Sequence, residues 1–200
     1  MKLYTFDNGD GVKRVGVELT GFPGLIRDVR DFGLPYRDMT DLIRRITPSE
    51  KERISDPEAA LDGRPLRLSS VRVCSPIPHP EQDIICLGVN YAAHADESAQ
   101  FDRKAFLLDR KKATYFSKRA YQTSGPDDLI PSYPELVTSL DYEAELAVII
   151  GRDCKNVCER DAAACIFGYT VLNDVSARNL QTEHNQWYFG KSLDGFTPMG

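Results

Sequence analysis

The segment LDYEAELAVIIG, residues 140–151, joins an acidic half to an apolar half. Leu146 to Ile150 is a continuous apolar run closed by Gly151, which predicts a strand. Side chains on a strand alternate faces, so Asp141, Glu143 and Glu145 point the same way. Glu143 and Glu145 then stand about 7 Å apart, two rises of about 3.3 Å. That separation suits two carboxylates reaching one hard divalent cation, which prefers oxygen ligands. The same alternation describes an amphipathic strand that turns its acids to water, and the pattern by itself favours that simpler reading.

Working outward, Tyr169 to Leu172 predicts a second apolar strand, which delivers Asn173-Asp174 to its end. Strand ends frame pockets, although Asn-Asp also opens turns. Between the two strands, Glu159 to Cys165 is alanine-rich and predicts a helix. On the N-terminal side, Ile84 to Leu87 reads as a strand ending at Gly88, and Thr114 to Ser117 as another. Residues 122–134, with Gly125, Pro126, Pro131 and Pro134, read as a loop. Asn90 to Ser98 predicts a helix capped by Asn90. In it, His94 and Glu97 are neighbours on one helical face. A carboxylate beside a histidine orients the ring and raises its basicity, as a general base requires. An exposed polar pair shows the same spacing.

The first eighty residues have a different character. Val15, Val17 and Leu19 alternate with Gly16 and Glu18 after the turn residues Asn8-Gly9-Asp10-Gly11, which predicts a hairpin. Met39, Leu42, Ile43 and Ile46 mark one face of a helix. Thr47-Pro48-Ser49-Glu50 is an N-cap, a first-turn proline and a capping-box glutamate, so a second helix runs to Ile54. Leu66, Leu68, Val71 and Val73 predict another strand. Pro76, Pro78 and Pro80 then set a boundary. The expected organisation is a small α+β domain over 1–80 and a mainly β domain over 81–200.

Composition narrows the function classes. Of the 200 residues, 42% are apolar and 28% charged, the usage of a folded globular chain rather than a disordered one. A formal charge of −5 argues against a nucleic-acid binder held by general charge. No apolar run approaches the roughly 20 residues that span a bilayer, and no signal-peptide pattern opens the chain. A soluble, cytoplasmic protein without nucleic-acid or membrane partners is expected. The five cysteines are scattered and form no disulfide framework. Cys154 and Cys158 resemble half a zinc site, but no second pair follows. Gly190-Lys191-Ser192 lacks the upstream glycine of a phosphate loop, since Asn185 stands there. Neither GxGxxG nor GxSxG occurs, which removes a dinucleotide fold and a serine-esterase elbow.

Five segments together, in order, resemble the fumarylacetoacetate hydrolase superfamily. They are GVNYAAHADE (88–97), Phe116-Ser117-Lys118, LDYEAELAVIIG (140–151), GYTVLNDVSARNLQ (168–181) and GKSLDGFTPMG (190–200). The resemblance covers residues 84–200 and implies an α+β, mainly β fold: a mixed, coiled β-roll after the small N-terminal domain. It implies that Glu143, Glu145 and Asp174 ligate Mg2+ or Mn2+ (Ca2+ in a crystal), against the simpler reading of that strand. It implies a water-activating dyad of His94 and Glu97. Lys191 matches a residue that stabilises developing charge, Gln181 one that contacts substrate, and Lys118 a lysine near the pocket. The implied reaction is metal-dependent carbon–carbon hydrolysis of an acylpyruvate-like keto acid by a homodimer. A decarboxylase, an isomerase of the same superfamily and a non-catalytic metal-binding fragment remain as alternatives. The resemblance also implies further chain beyond Gly200, so the second domain is expected to be incomplete. Gly195 stands where many members have threonine.

Overall fold

The computed structural model describes residues 1–60, 63–88, 113–184 and 186–200. The predicted helix over 90–98, with His94 and Glu97, lies outside the described residues.

The N-terminal hairpin forms as its alternation requires. Strands β1 (Leu3–Asp7) and β2 (Lys13–Glu18) pair antiparallel, with Leu3 opposite Val17. The Asp7 carboxylate closes the turn by accepting from the Gly9 and Gly11 amides, at 2.8 and 3.1 Å. Both glycines lie at positive φ, where a side chain would be strained. Strand β3 (Leu25–Asp28) joins β2, β4 (Leu66–Arg67) joins β3, and β5 (Arg72–Cys74) joins the far side of β1. The result is a five-stranded antiparallel sheet in the order β4-β3-β2-β1-β5.

One expected strand is divided. A 3-10 turn over Leu68–Ser70 separates β4 from β5 and sends them to opposite edges of the sheet. The Leu68 amide still donates to the Gly24 carbonyl, one rung beyond the β3–β4 pairs, and the Val71 amide donates to Leu68 O, which closes the turn. Helix α1 (Met39–Arg45) is capped by Asp38, and α2 (Pro48–Ser55) carries the full Thr47–Glu50 capping box. Val15, Val17, Val29, Phe32, Leu42 and Ile54 form the core between helices and sheet.

After Cys74 the strands pair as short antiparallel ribbons. Strand β6 (Ile84–Gly88) pairs with β7 (Thr114–Lys118), placing Ile84 opposite Lys118. Strand β8 (Leu140–Asp141) pairs with β11 (Ser176–Ala177), and β9 (Ala144–Ile150) with β10 (Ile166–Asn173). Among the described residues, three short helices follow or interrupt them: α3 (Glu159–Ala162), α4 (Arg178–Glu183) and α5 (Tyr188–Lys191). The α+β class agrees with the sequence reading.

The acidic segment is not one strand. It breaks between β8 and β9, because the Asn173 side chain accepts from the Glu143 amide at 3.1 Å while Glu143 O accepts from the Asp174 amide at 2.9 Å. Beyond the break the alternation holds. Glu143 and Glu145 lie on the half-buried face, and Leu146, Val148 and Ile150 on the exposed one, beside Tyr169 and Val171. The first sheet is tied to the later chain by Ser75–Thr123 at 2.5 Å and Arg72–Asp128 at 2.6 Å. Among the described residues, no helix is long and apolar enough to cross a membrane.

Candidate active site

Three elements end at one point. Asp174 follows the last residue of β10, Lys191 ends α5, and Glu143 sits in the break before β9. The Lys191 ammonium donates to Glu143 Oε1 and to Asp174 Oδ2, each at 2.7 Å. From β7, the Lys118 ammonium reaches Asp174 Oδ1 at 2.8 Å and donates to the Val175 and Lys191 carbonyls, at 2.9 and 2.5 Å. Arg178, at the start of α4, bridges Glu143 at 3.0 Å and Asp141 at 2.7 Å. Ser176 Oγ donates to Glu143 Oε1 at 2.8 Å.

The order Asp141–Arg178–Glu143–Lys191–Asp174–Lys118 is therefore an alternating chain of charges, three negative and three positive. Its inner end is sealed. The side-chain exposures of Lys118, Lys191 and Asp174 are 0%, 3% and 5%, whereas Arg178 is at 35%. Burial drives the Lys118 amine below its ordinary range, and the Asp174 carboxylate opposes that shift. Burying charges this deeply is tolerated only where each has a partner.

The local sequence explains how Lys191 arrives. Helices α4 and α5 pack closely through Gly190, where a Cβ would stand 2.7 Å from the Gln181 amide and 2.8 Å from the Ala177 carbonyl. The glycine that in sequence looked like part of a phosphate loop is thus a packing glycine. The Phe116 ring lies under the ammonium, 5.2 Å from its centroid, and Trp187 meets Phe116 edge-on. Cys86 lies beside the cluster; burial, with the Asp174 charge second, pushes its thiol up to about 12. It stays protonated at neutral pH and is no nucleophile.

Of the residues expected from sequence, Glu143, Asp174, Lys191 and Lys118 converge. Gln181 joins the edge, accepting from Arg178 at 2.9 Å. Glu145 is half-buried on the face it shares with Glu143, opposite Leu172. Sequence reasoning gave no role to Arg178 or Ser176. Both stand within the family-like segment 168–181, but no periodicity marks an arginine that will clamp two carboxylates from another strand.

The donor set bears on the implied metal. Glu143 and Asp174 both direct oxygens at one cation, the Lys191 ammonium. Asp174 Oδ1 is buried and has an ion-pair contact with Lys118, yet no donor is aligned on it for a hydrogen bond. Hard, buried oxygens with lone pairs to spare are what a hard divalent ion takes. Among the described residues, no three His, Cys, Asp or Glu side chains close into a metal-binding group. The fit therefore rests on Glu143 and Asp174.

The family model for the fumarylacetoacetate (FAA) hydrolase C-terminal region matches residues 83–200. The chain belongs to this family. An oxaloacetate tautomerase of Bacillus subtilis (strain 168), YisK, is 41% identical over 133 residues, covering 66% of this chain and 42% of that protein. A mitochondrial oxaloacetate tautomerase of Xenopus laevis is 35% identical, covering all of this chain and 60% of that protein. The structure of maleylpyruvate hydrolase from Sphingobium sp. SYK-6, in complex with manganese(II) ion and pyruvate, superposes with a TM-score of 0.69 at 30% identity. That match covers the whole chain and 65% of the hydrolase. The chain thus has the fold of this family and spans about two thirds or less of these relatives' length.

Proposed function

We propose that this site stabilises the enolate of a short 2-oxo dicarboxylic acid, and that its reaction is keto–enol interconversion of the oxaloacetate type. The observation that carries the reading is the meeting of Glu143 and Asp174 on the Lys191 ammonium, in a chain related to two oxaloacetate tautomerases. Glu143 and Asp174, with Glu145 on the same face, would hold Mg2+ or Mn2+. Such an ion supplies Lewis acidity to a 2-oxo acid carbonyl.

The chain's own residues do the rest. Lys191 presents a buried positive charge, and an ammonium in a dry site stabilises a developing oxyanion far better than it would in water. Lys118 is enclosed and fixes Asp174 and the Lys191 backbone, so it acts on the position of those two residues. Arg178, partly exposed, offers a guanidinium at the mouth for a substrate carboxylate. His94, which the family resemblance pairs with Glu97, would take a proton from the carbon next to the ketone and return one, which leaves the atom balance unchanged. A homodimer would cover the apolar outer face of the β9–β10 ribbon.

The test is the decay of enol-oxaloacetate, followed by absorbance with Mg2+ or Mn2+ present. Acceleration over buffer that falls about 100-fold or more in Lys191→Met is expected; decay at the buffer rate sinks the proposal. A second reading is carbon–carbon hydrolysis of an acylpyruvate, favoured by the likeness to the Sphingobium hydrolase. There His94 would deprotonate water instead of carbon. Pyruvate release from an acylpyruvate, lost in His94→Ala, selects it.

A further inference from the structure

Three groups meet on one oxygen, Glu143 Oε1: the Lys191 ammonium at 2.7 Å, the Ser176 hydroxyl at 2.8 Å and the Arg178 guanidinium at 3.0 Å. Two of them are cations shared with other carboxylates. Lys191 also donates to Asp174, and Arg178 to Asp141, each at 2.7 Å. Both reach Glu143 on long stems with many rotamers. Ser176 differs in each respect. It is neutral, fully buried, and has a single side-chain torsion between backbone and oxygen. Its Oγ also lies 3.0 Å from the Asp174 carbonyl oxygen. A hydroxyl has one proton to give. The nearer and charged acceptor, Glu143, takes it, because hydrogen bonds to a carboxylate are the stronger ones.

The backbone fixes where that hydroxyl stands. Ser176 pairs with Asp141 across β8 and β11, and the Asp174 amide donates to the Glu143 carbonyl at 2.9 Å. One short side chain therefore joins the Glu143 carboxylate to the main chain that carries Asp174. Among the described residues, the three groups on Oε1 leave Oε2 as the Glu143 oxygen open to a cation. We infer that Ser176 is a positioning residue: its hydroxyl holds the Glu143 carboxylate in the orientation that lets it share a divalent ion with Asp174. The inference rests on the metal reading proposed above. Carboxylates that ligate metals depend on such outer partners, and losing one costs about 10–100-fold in affinity. Because Ser176 carries no charge, its removal leaves the field of the two cations in place. The direction of the effect is then decisive. A hydroxyl that orients Glu143 strengthens cation binding, whereas one that only occupies a lone pair competes with the cation and weakens it.

The test is calorimetric titration of Mn2+ into the full metal-stripped chain and three variants, with urea unfolding in EDTA to show that each is folded. Ser176→Ala should bind Mn2+ about 10-fold or more weakly. Ser176→Cys keeps the buried volume but donates poorly, and a hard ion gains little from a thiol, so it should be weakened likewise. It serves as the readout where Ser176→Ala does not fold. Ser176→Thr keeps the hydroxyl and should bind nearly as the native chain does. Native affinity, or tighter binding, in the Ala and Cys variants overturns the inference. So does equal weakening in Ser176→Thr, since packing at this position would then account for the loss. No binding to the native chain removes the metal reading and this role with it; native binding that Ser176→Ala leaves unchanged removes this role alone.

Discussion

Asp174→Asn removes one charge from the centre of the cluster and leaves the side chain's shape unchanged. In the native site the Asp174 carboxylate lies 2.8 Å from the Lys118 ammonium and 2.7 Å from that of Lys191. After the change, Lys191 keeps Glu143 at 2.7 Å, but Lys118 keeps only two backbone carbonyls. One fully buried ammonium is therefore left without a counter-charge. Removing one partner of a buried pair costs about 3–5 kcal/mol. In a chain of this length each kcal/mol is worth about 2–4 °C, so the midpoint should fall by about 6–20 °C. Thermal and urea unfolding at pH 7 with EDTA present measure it. The double variant Lys118→Met with Asp174→Asn should recover a large part of the loss, because the stranded charge is gone. A loss under about 1 kcal/mol, or a double variant whose loss is the sum of the singles, would refute the alternating ion chain.

Gly190→Ala should cost about 1–3 kcal/mol in denaturant unfolding, because its methyl group meets backbone atoms of α4 rather than a yielding side chain. The same change should weaken catalysis by shifting Lys191, read as a lower kcat on enol-oxaloacetate. Cys86, raised from 9.0 to about 12 in the folded chain, lends stability that is complete below pH 9 and lost as pH rises through about 12. Cys86→Ala should flatten the alkaline limb of stability against pH, and an unchanged slope would contradict the burial argument.

The parts of the fold legible in sequence are those fixed by local chemistry. The Asn8–Gly11 turn, the Thr47–Glu50 capping box and the apolar alternation of Val15 and Val17 each name their structure without help from distant residues. The division of β4 from β5 was hidden, because a run of Leu and Val reads as one strand whatever edge each half will join. The break before β9 was hidden for a related reason: the Asn173 side chain, thirty residues away in sequence, takes the Glu143 amide. At the site, alternation put Glu143 and Glu145 on one face. Their pattern favoured solvent exposure, and only the family-like segments argued for convergence with Asp174. Arg178 could not be recognised as a clamp, since its partners come from another strand. The burial of Lys118 was equally unreadable, because nothing in Phe116-Ser117-Lys118 says that all the ammonium's partners lie more than fifty residues away.

Glu143 and Asp174 are proposed to form the cation-binding heart of the enolate-stabilising site. Calorimetric titration of Mn2+ into the metal-stripped chain tests it most directly, with Glu143→Gln and Asp174→Asn titrated alongside. One saturable site is expected in the native chain, lost in both variants. Absence of binding to the native chain, or binding that survives both substitutions, would contradict it.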